Sequence, residues 1–187
     1  LKSPFDGFEL GAYHARPTDA RRGGLLLIQE IFGVTEHIRE LADAFAADGY
    51  ETIAPSFYDR LEPGFQADYS QAAIAKGVEY SQGTLAACRC TGLSAAASFY
   101  GRRISELKDE TPKVPIILHF GKTDASIPPE RIDEIAERHP DIPIHLYPAG
   151  HGFVSDRRAD YDADSARLAR LRTLALFSNN GGGRSSA

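Results

Sequence analysis

Two stretches of sequence decide the fold of this chain: PIILHFGKTD at residues 115–124 and IHLYPAGHGF at residues 144–153. Each begins with a short apolar run and ends in a turn that contains glycine. Apolar runs of this length, bounded by proline and glycine, are typical of buried strands in a parallel sheet. Each turn carries one polar residue, Asp124 in the first stretch and His151 in the second. Because open α/β sheets place their chemistry just beyond the carboxyl ends of the strands, we expect these two side chains to meet.

Asp124 and His151 also follow the order of a catalytic triad. In α/β-hydrolases the order along the chain is nucleophile, Asp, His. The Asp holds the imidazole in one tautomer, and the His takes the nucleophile's proton and passes it to the leaving group. His151 could instead be a surface histidine of a turn, but its flanking glycines and Phe153 favour catalysis, and the role of Asp124 depends on it. The other histidines have no partners at motif spacing and are given no catalytic role: His14, His37, His119, His139 and His145.

Length and composition narrow the class of protein. The chain has 187 residues, 42% hydrophobic and 25% charged, which suits a single domain that we place at residues 1–177. Residues 178–187, SNNGGGRSSA, are predicted to be a flexible tail. The net charge of -5 and a pI near 5.7 argue against nucleic acid or an anionic membrane as the main partner. No apolar run approaches the length of a membrane span, so no membrane partner is expected.

The cysteines and the first residues indicate the compartment. Cys88 and Cys90 are too few for a disulfide framework, and the first residues hold no secretory signal core. The C-x-C spacing lacks a second Cys or His cluster nearby, so a metal site is not expected. The prediction is a cytoplasmic protein that acts as a monomer or a small homo-oligomer.

The first half of the chain predicts a strand–helix–strand unit. Residues 8–16 alternate as an edge strand does, and the uninterrupted apolar run at 25–28 predicts a central strand. Apolar residues then recur at helical spacing over 34–45, with Gly49 closing the helix. Residues 50–55 are predicted to be the next strand, which implies a right-handed parallel crossover.

The second half predicts further helices and strands. Residues 68–82 and 83–89 are predicted helices, and 93–100 is a predicted strand of small residues. A later helix opens with Pro129 in its first position, and Ser126 is the expected N-cap. The final helix is predicted to pack through an apolar face formed by Leu168, Leu171, Leu174, Ala175 and Phe177.

Several segments, taken in order, resemble the dienelactone hydrolase family, a small branch of the α/β-hydrolases. They are QEIFG at 29–33, APSFYDR at 54–60, FYG at 99–101, and GKTD at 121–124 together with AGHGF at 149–153. They span most of the chain, and QEIFG is the most specific of them. The resemblance implies an α/β fold, a three-layer α/β-hydrolase sandwich with a mostly parallel central sheet.

The resemblance also implies an activity and roles for named residues. The family hydrolyses small esters or lactones through a covalent acyl-enzyme, with no metal or organic cofactor. Asp124 and His151 match the acid and the base of the family's triad. Glu30 matches a buried carboxylate that contacts the resting nucleophile, and the backbone N–H of Ile31 matches an oxyanion-hole donor. Glu30 follows a fully apolar strand, which is a typical site position, although a salt-bridged surface acid is the alternative reading.

Candidate substrate-binding residues come from the same segments: Phe32, Tyr58, Arg60 and Tyr100. Arg60, like Arg157 and Arg158 of the His151 loop, could bind a substrate carboxylate or be a solvated surface charge. The sequence does not indicate which ester or lactone is the substrate.

The family's nucleophile, a Cys in a G-x-C-x-G-G elbow, has no counterpart in this sequence. Triad order places it before Asp124, but residues 61–92 contain no apolar run that could be its strand. Residues 83–88 resemble the helix just after such an elbow, whereas residues 76–82 resemble a segment well upstream. We therefore predict that a few tens of residues are missing near positions 82–83, roughly one helix plus one strand with its elbow, and that these positions are not joined by a peptide bond.

Two other functions stay open. Ser81 in EYSQG resembles the G-x-S-x-G elbow of a serine carboxylesterase, but Glu79 stands where the motif needs Gly, and the preceding residues indicate a helix. A chain made without a nucleophile would be a catalytically silent hydrolase-fold protein that binds a small acid or a partner. Cys88 and Cys90 lie beyond the elbow position and are predicted to be small apolar packing residues.

Overall fold

The computed structural model describes residues 1–3, 6–84 and 93–180, apart from the side chains of residues 71, 79–84 and 107. The described residues form two compact units, one up to residue 84 and one from residue 93 onward. Each unit contains a three-stranded sheet and helices. No helix in the part of the chain that is described is long and apolar enough to cross a bilayer.

The first unit is built on a mixed sheet. Its elements are β1 (Ala12–Ala15), β2 (Gly23–Leu26), α1 (Glu36–Ala47), β3 (Tyr50–Pro55) and α2 (Gln71–Thr84), with a short 3-10 helix at Phe57–Arg60. The strand order is β1-β3-β2, with β1 antiparallel and β2 parallel to β3. The predicted helix is confirmed, because Ile38, Ala42 and Phe45 form the buried face of α1. The helix ends at Ala47 with Asp48 as its C-cap, and the predicted Gly49 is one residue further on, at a φ of +91° that glycine adopts without strain.

The second unit is built on a parallel sheet. Its elements are β4 (Ala96–Phe99), β5 (Ile116–Gly121), α3 (Pro129–Arg138), β6 (Ile144–Tyr147) and α4 (Ala163–Asn179), with a 3-10 helix at Ser105–Leu107. The strand order is β4-β5-β6, and both pairs are parallel. The core of this unit forms where Leu118 and Phe120 of β5 pack against three isoleucines, Ile127, Ile132 and Ile135. The predicted α/β class with mostly parallel strands is therefore confirmed.

The run at residues 25–28 is less buried than its sequence predicts. Leu25 and Leu26 belong to β2, which has only β3 as a partner among the described residues, and residues 27–28 lie beyond it. No residue of β2 is buried, and Ile28 just beyond it is 48% exposed. β4 is similar, since it has no buried residue and pairs only with β5 in the described part of the chain. Parallel strands are normally covered on both faces, so β2 and β4 each present apolar surface and an open backbone edge.

Helix α2 runs continuously through Gln82 and Gly83. Helical hydrogen bonds are local, so two helical segments that adjoin in the sequence continue as one helix, and the absence of residues between Gln82 and Gly83 stays a prediction. The first predicted helix is therefore shifted to Gln71–Thr84, while residues 85–89 of the second lie outside the described residues.

Helix α3 begins as predicted with Pro129 in its first turn, but Pro128, not Ser126, is its N-cap. Ser126 instead donates its backbone N–H to Oδ1 of Asp124 at 2.7 Å. An Asp carboxylate readily accepts from the backbone two residues on, and this local turn competes with capping.

Helix α4 packs through a different face from the predicted one. Its buried residues are Ser165, Ala169 and Thr173, at a spacing of four, whereas Leu168 and Leu171 are 39% and 51% exposed. Small side chains let the helix lie close to the sheet, which overrides the apolar pattern. The helix also includes residues 178–179 of the predicted tail, and tail residues 181–187 lie outside the described residues.

A buried histidine joins β5, β6 and α4. His119 is fully buried, its Nδ1 lies 2.8 Å from the Tyr147 hydroxyl, and its Nε2 lies 3.0 Å from the Thr173 hydroxyl. Arg172 donates to the Tyr147 oxygen at 3.0 Å, so the Tyr147 proton is free to point at Nδ1. A neutral imidazole with one donor and one acceptor fits this arrangement. Burial, followed by the charges of His145 and Arg172, lowers the pKa of His119 to about 3.

We predict that His119 makes stability depend on pH. Its folded-state pKa lies below the ordinary value near 6.5, so between these values the unfolded chain binds a proton that the folded chain does not. Stability should therefore fall as pH decreases below about 6.5, with a slope of up to ~1.4 kcal/mol per pH unit from this one group. His119→Gln should reduce that slope in urea unfolding measured at pH 7, 6 and 5. The same slope in both proteins would contradict the prediction.

Candidate active site

Asp124 and His151 are in contact at the carboxyl ends of neighbouring strands. Asp124 follows β5, His151 follows β6, and Oδ2 of Asp124 lies 2.7 Å from Nδ1 of His151. The Asp124 side chain is fully buried, whereas the His151 side chain is 25% exposed. The contact predicted from the sequence is therefore present, with the acid covered and the imidazole reachable from solvent.

Gly121 allows the two strand ends to come together. A Cβ on Gly121 would lie 2.3 Å from the carbonyl oxygen of Ala149, so no larger residue fits without displacing the His151 turn. The N–H of Lys122 donates to Tyr147 at 2.8 Å, and that of Thr123 donates to Ala149 at 3.1 Å. These backbone hydrogen bonds carry the pairing of β5 and β6 past the sheet and into the two polar turns.

The Asp124 carboxylate sets the tautomer of His151. One oxygen accepts the N–H of Ser126 and the other faces Nδ1 of the imidazole, each at 2.7 Å. A carboxylate can only accept, so Nδ1 carries the proton in the neutral ring. Nε2 is then left with a lone pair, as a general base requires. The sequence analysis missed the Ser126 N–H, although an Asp followed two residues later by Ser is a known turn signal.

The glycines on either side of His151 make room for two charged side chains. A Cβ on Gly150 would lie 2.3 Å from Oδ1 of Asp160, and a Cβ on Gly152 would lie 2.5 Å from Cδ and Nε of Arg158. The segment after His151 folds back along the turn, with the N–H of Asp162 bonded to the carbonyl of Phe153 at 3.1 Å. Sequence reasoning placed Arg158 in this loop but did not find its packing on glycine.

Tyr100 lies beside the imidazole. It follows β4, and its ring centroid is 5.2 Å from that of His151 and 5.8 Å from that of Phe153. The strand ends of β4, β5 and β6 thus place three of the predicted site residues together in the second unit.

The QEIFG turn of the first unit holds the other predicted catalytic groups. Oε2 of Glu30 is buried, and the N–H of Gly33 closes the turn onto the Glu30 carbonyl at 3.2 Å. The Ile31 carbonyl packs on α2, where a Cβ on Gly77 would lie 2.2 Å from it. Phe32 is 1% exposed and stacks edge-on with Tyr69. The convergence of Glu30 and the Ile31 N–H on His151 stays a prediction.

The remaining candidate substrate-binding residues are engaged in local contacts. Tyr58 is 5% exposed and packs near Phe65, with a distance of 5.7 Å between ring centroids. Arg60 forms a two-pronged ion pair with Asp6 at 2.7 and 3.0 Å, which holds the pKa of that carboxyl well below its usual range. Arg157 pairs with Asp156 at 2.7 Å. None of these contacts supports a role for Arg60 or Arg157 in binding a substrate carboxylate.

The alternative nucleophiles and the possibility of a metal site concern the remaining residues. The Ser81 side chain, Cys88 and Cys90 lie outside the described residues, although the backbone at Ser81 is helical. Within either unit taken by itself, the described His, Cys, Asp and Glu side chains form no group of three close enough to hold a metal ion.

Comparisons with known proteins agree with the resemblance. A model of the "Dienelactone hydrolase family" matches residues 10–84 and 82–181. A "Putative carboxymethylenebutenolidase" of Azospirillum brasilense is 27% identical, covering 92% of this chain and 94% of its own. A protein of the same name from Yersinia pestis is 30% identical, and the match covers 95% of this chain and 86% of that protein. The crystal structure of a "Putative Dienelactone Hydrolase" from Klebsiella pneumoniae superimposes with a TM-score of 0.67 at 26% identity, covering 94% of this chain and 95% of that one.

These matches share a feature near the middle of the chain. The two stretches that match the family model meet at residues 82–84. The alignments with the Azospirillum and Yersinia proteins extend over 217 and 234 residues, more than the 187 residues of this chain. Each relative therefore contains a few tens of residues that have no counterpart here.

We predict that Gly33 is required for the QEIFG turn. It has a φ of +85°, and a Cβ there would lie 2.1 Å from the Phe65 carbonyl. Gly33→Ala should destabilise the protein by roughly 3 kcal/mol or more, because strain and a backbone clash add. Gly64 is a matched control, with a φ of +72° and open space around its Cβ, so Gly64→Ala should cost only about 1–2 kcal/mol. Equal losses in urea unfolding would rule out the clash at Gly33.

Proposed function

The chain belongs to the dienelactone hydrolase family of ester and lactone hydrolases, and on that premise we propose that it cleaves a small ester or lactone through a nucleophile–His151–Asp124 triad. The observation that carries the proposal is the 2.7 Å hydrogen bond between Asp124 and Nδ1 of His151. Ion pairs between His and Asp also occur as structural contacts. Here the acid is fully buried and the histidine is partly open to solvent, which suits an oriented base.

In the proposed reaction, His151 transfers protons and Asp124 stabilises the protonated imidazole. Nε2 of His151 takes the proton of the nucleophile, which attacks the carbonyl carbon and forms a tetrahedral intermediate. The protonated imidazole, stabilised by Asp124, gives that proton to the leaving alkoxide, and an acyl-enzyme remains. Water then repeats the sequence, with His151 again accepting and returning one proton, and the carboxylic acid leaves.

Two groups of the first unit complete the proposal. The Ile31 N–H donates to the oxyanion of the intermediate, where fixed donors are most effective. Glu30, whose Oε2 is buried, holds the resting nucleophile in its protonated form. Both assignments come from the family's pattern in QEIFG and are tied to this chain only by residue identity.

We infer that the nucleophile belongs to a segment absent between Gln82 and Gly83. Three observations support this inference: β2 and β4 have open apolar edges in the described residues, the family match is divided at 82–84, and the relatives contain extra residues. The absent segment would contain an additional strand that pairs with an open sheet edge, and its elbow would carry a Cys. Such a strand would cover apolar surface that the open edge leaves exposed.

Helix α2 bears on the two alternative functions, a serine esterase and a catalytically silent binding protein. A serine esterase using Ser81 is disfavoured, because α2 continues through that residue, whereas a nucleophile elbow needs a strand followed by a sharp turn. The unbroken helix does favour a catalytically silent binding protein if the chain is made without an elbow.

We predict that the full natural chain hydrolyses nitrophenyl acetate and that His151→Ala reduces kcat by about 10²–10⁴-fold, the usual contribution of a general base. Asp124→Asn should reduce it to a similar degree, because the imidazole loses its fixed tautomer. His139→Ala is the matched control, since the His139 imidazole bonds to the Lys108 carbonyl and the substitution should leave the rate unchanged. An unaltered rate in His151→Ala would remove His151 from the mechanism.

Blocking reagents separate the three candidate functions. A cysteine nucleophile predicts that a thiol-blocking reagent abolishes turnover and that a serine-blocking phosphonate does not. The opposite pattern would assign the activity to a serine. Absence of turnover in the natural chain would leave the silent binding protein as the function.

A further inference from the structure

Tyr100 has an unusual backbone conformation for an aromatic residue. Its φ is +40°, and no other non-glycine residue in the described part of the chain has a positive φ. L side chains rarely adopt this region, because Cβ crowds the following carbonyl. Strained residues of this kind persist only when their surroundings hold them in place, and they concentrate at functional sites.

The surroundings of Tyr100 hold it from both sides. Its N–H donates to the His119 carbonyl at 2.7 Å, which extends the pairing of β4 with β5. The next residue, Gly101, is tightly enclosed: a Cβ there would lie 2.6 Å from Cδ1 of Ile104 and 2.7 Å from Oγ of Ser98. The chain therefore turns sharply at Tyr100 and has no room to relax one residue later.

The consequence of this turn is the position of the Tyr100 ring. It lies 5.2 Å from the His151 imidazole at an angle of 57°, and 5.8 Å from Phe153 at 74°. Tilted aromatic pairs at these distances are attractive and directional. Asp124 fixes one nitrogen of the imidazole but leaves the ring free to rock about the hydrogen bond. The tilted Tyr100 ring packs against the imidazole and restricts that motion.

We propose that Tyr100 is a positioning residue for His151, in which a strained backbone aims an aromatic ring that fixes the plane of the base. The role of Tyr100 in catalysis rests on the proposed function. The restraint that Tyr100 places on the His151 imidazole is independent of that function. Small misplacements of a proton-transfer group reduce the rate of the chemical step more than they affect substrate binding. Tyr100 therefore acts through His151, and it was predicted from the sequence only as a substrate contact.

The test compares three substitutions at Tyr100 in the full natural chain. Tyr100→Phe keeps the ring and should stay within about twofold of the natural protein in kcat and KM. Tyr100→Leu keeps bulk without an aromatic face, and Tyr100→Gly removes both ring and strain. Both should reduce kcat roughly three- to tenfold with KM within about twofold, as expected for the loss of one aromatic contact. Tyr161→Ala, at a 43% exposed tyrosine of the same unit, is the control and should change neither value.

A second readout does not depend on turnover. The proton on Nδ1 of His151 gives a separate NMR signal while its hydrogen bond to Asp124 persists, and this signal should broaden in Tyr100→Leu and Tyr100→Gly but not in Tyr100→Phe. An unchanged signal in all three variants would overturn the positioning role, whether or not the protein is an esterase. A rise in KM with unchanged kcat in Tyr100→Leu would also overturn it, because Tyr100 would then be a substrate contact. A protein without esterase activity that shows the predicted NMR changes would retain the positioning role and lose only the proposed function.

Discussion

The close approach of the ends of β5 and β6 is the constraint on which the candidate active site depends. Gly121 pairs with Tyr147, and its missing side chain lets the Ala149 carbonyl come so near that a Cβ would be only 2.3 Å away. Backbone hydrogen bonds then continue beyond the strands into both turns. This backbone geometry places the turns that carry Asp124 and His151 side by side. The parallel pairing of β5 and β6 and the close approach of their ends are therefore enough to place two polar side chains from positions 27 residues apart in contact.

Other contacts in the second unit hold the ends of β5 and β6 in place. The buried His119 links β5 to Tyr147 of β6 and to Thr173 of α4, so both strands that carry the pair are anchored to the same helix. The network needs a neutral imidazole, and burial lowers the His119 pKa accordingly. The two histidines differ in their surroundings: His119 is fully buried in a hydrogen-bond network, whereas the His151 side chain is 25% exposed beside Asp124. The sequence already indicates this difference, since His119 lies within the apolar run of β5 and His151 lies between glycines in the turn after β6.

The sequence predicted features that depend on local pattern and missed those that depend on packing. Strands 50–55, 116–121 and 144–147, helix α1 and the Asp124–His151 contact follow from apolar runs, helical spacing and turn glycines. The face of α4 was mispredicted because small residues at 165, 169 and 173 pack closer than leucines do, a tertiary effect that apolar spacing does not encode. The tie between Asp124 and Ser126, and the fit of Asp160 and Arg158 on the glycines around His151, also required coordinates. The role of Glu30 and Ile31 stays a prediction.

The strands β2 and β4 each have an edge without a partner strand among the described residues, which is consistent with the proposal that a segment is absent between Gln82 and Gly83. The most direct measurement is a tryptic map of the protein isolated from the cells that make it. Cleavage after Lys76 and Arg89 of a continuous chain would release residues 77–89 as the peptide GVEYSQGTLAACR. The account predicts that this peptide is absent and that GVEYSQ continues into an apolar strand and a glycine-rich elbow with a Cys, ending in a Gly directly before Thr84. Recovery of the peptide GVEYSQGTLAACR itself would contradict the account.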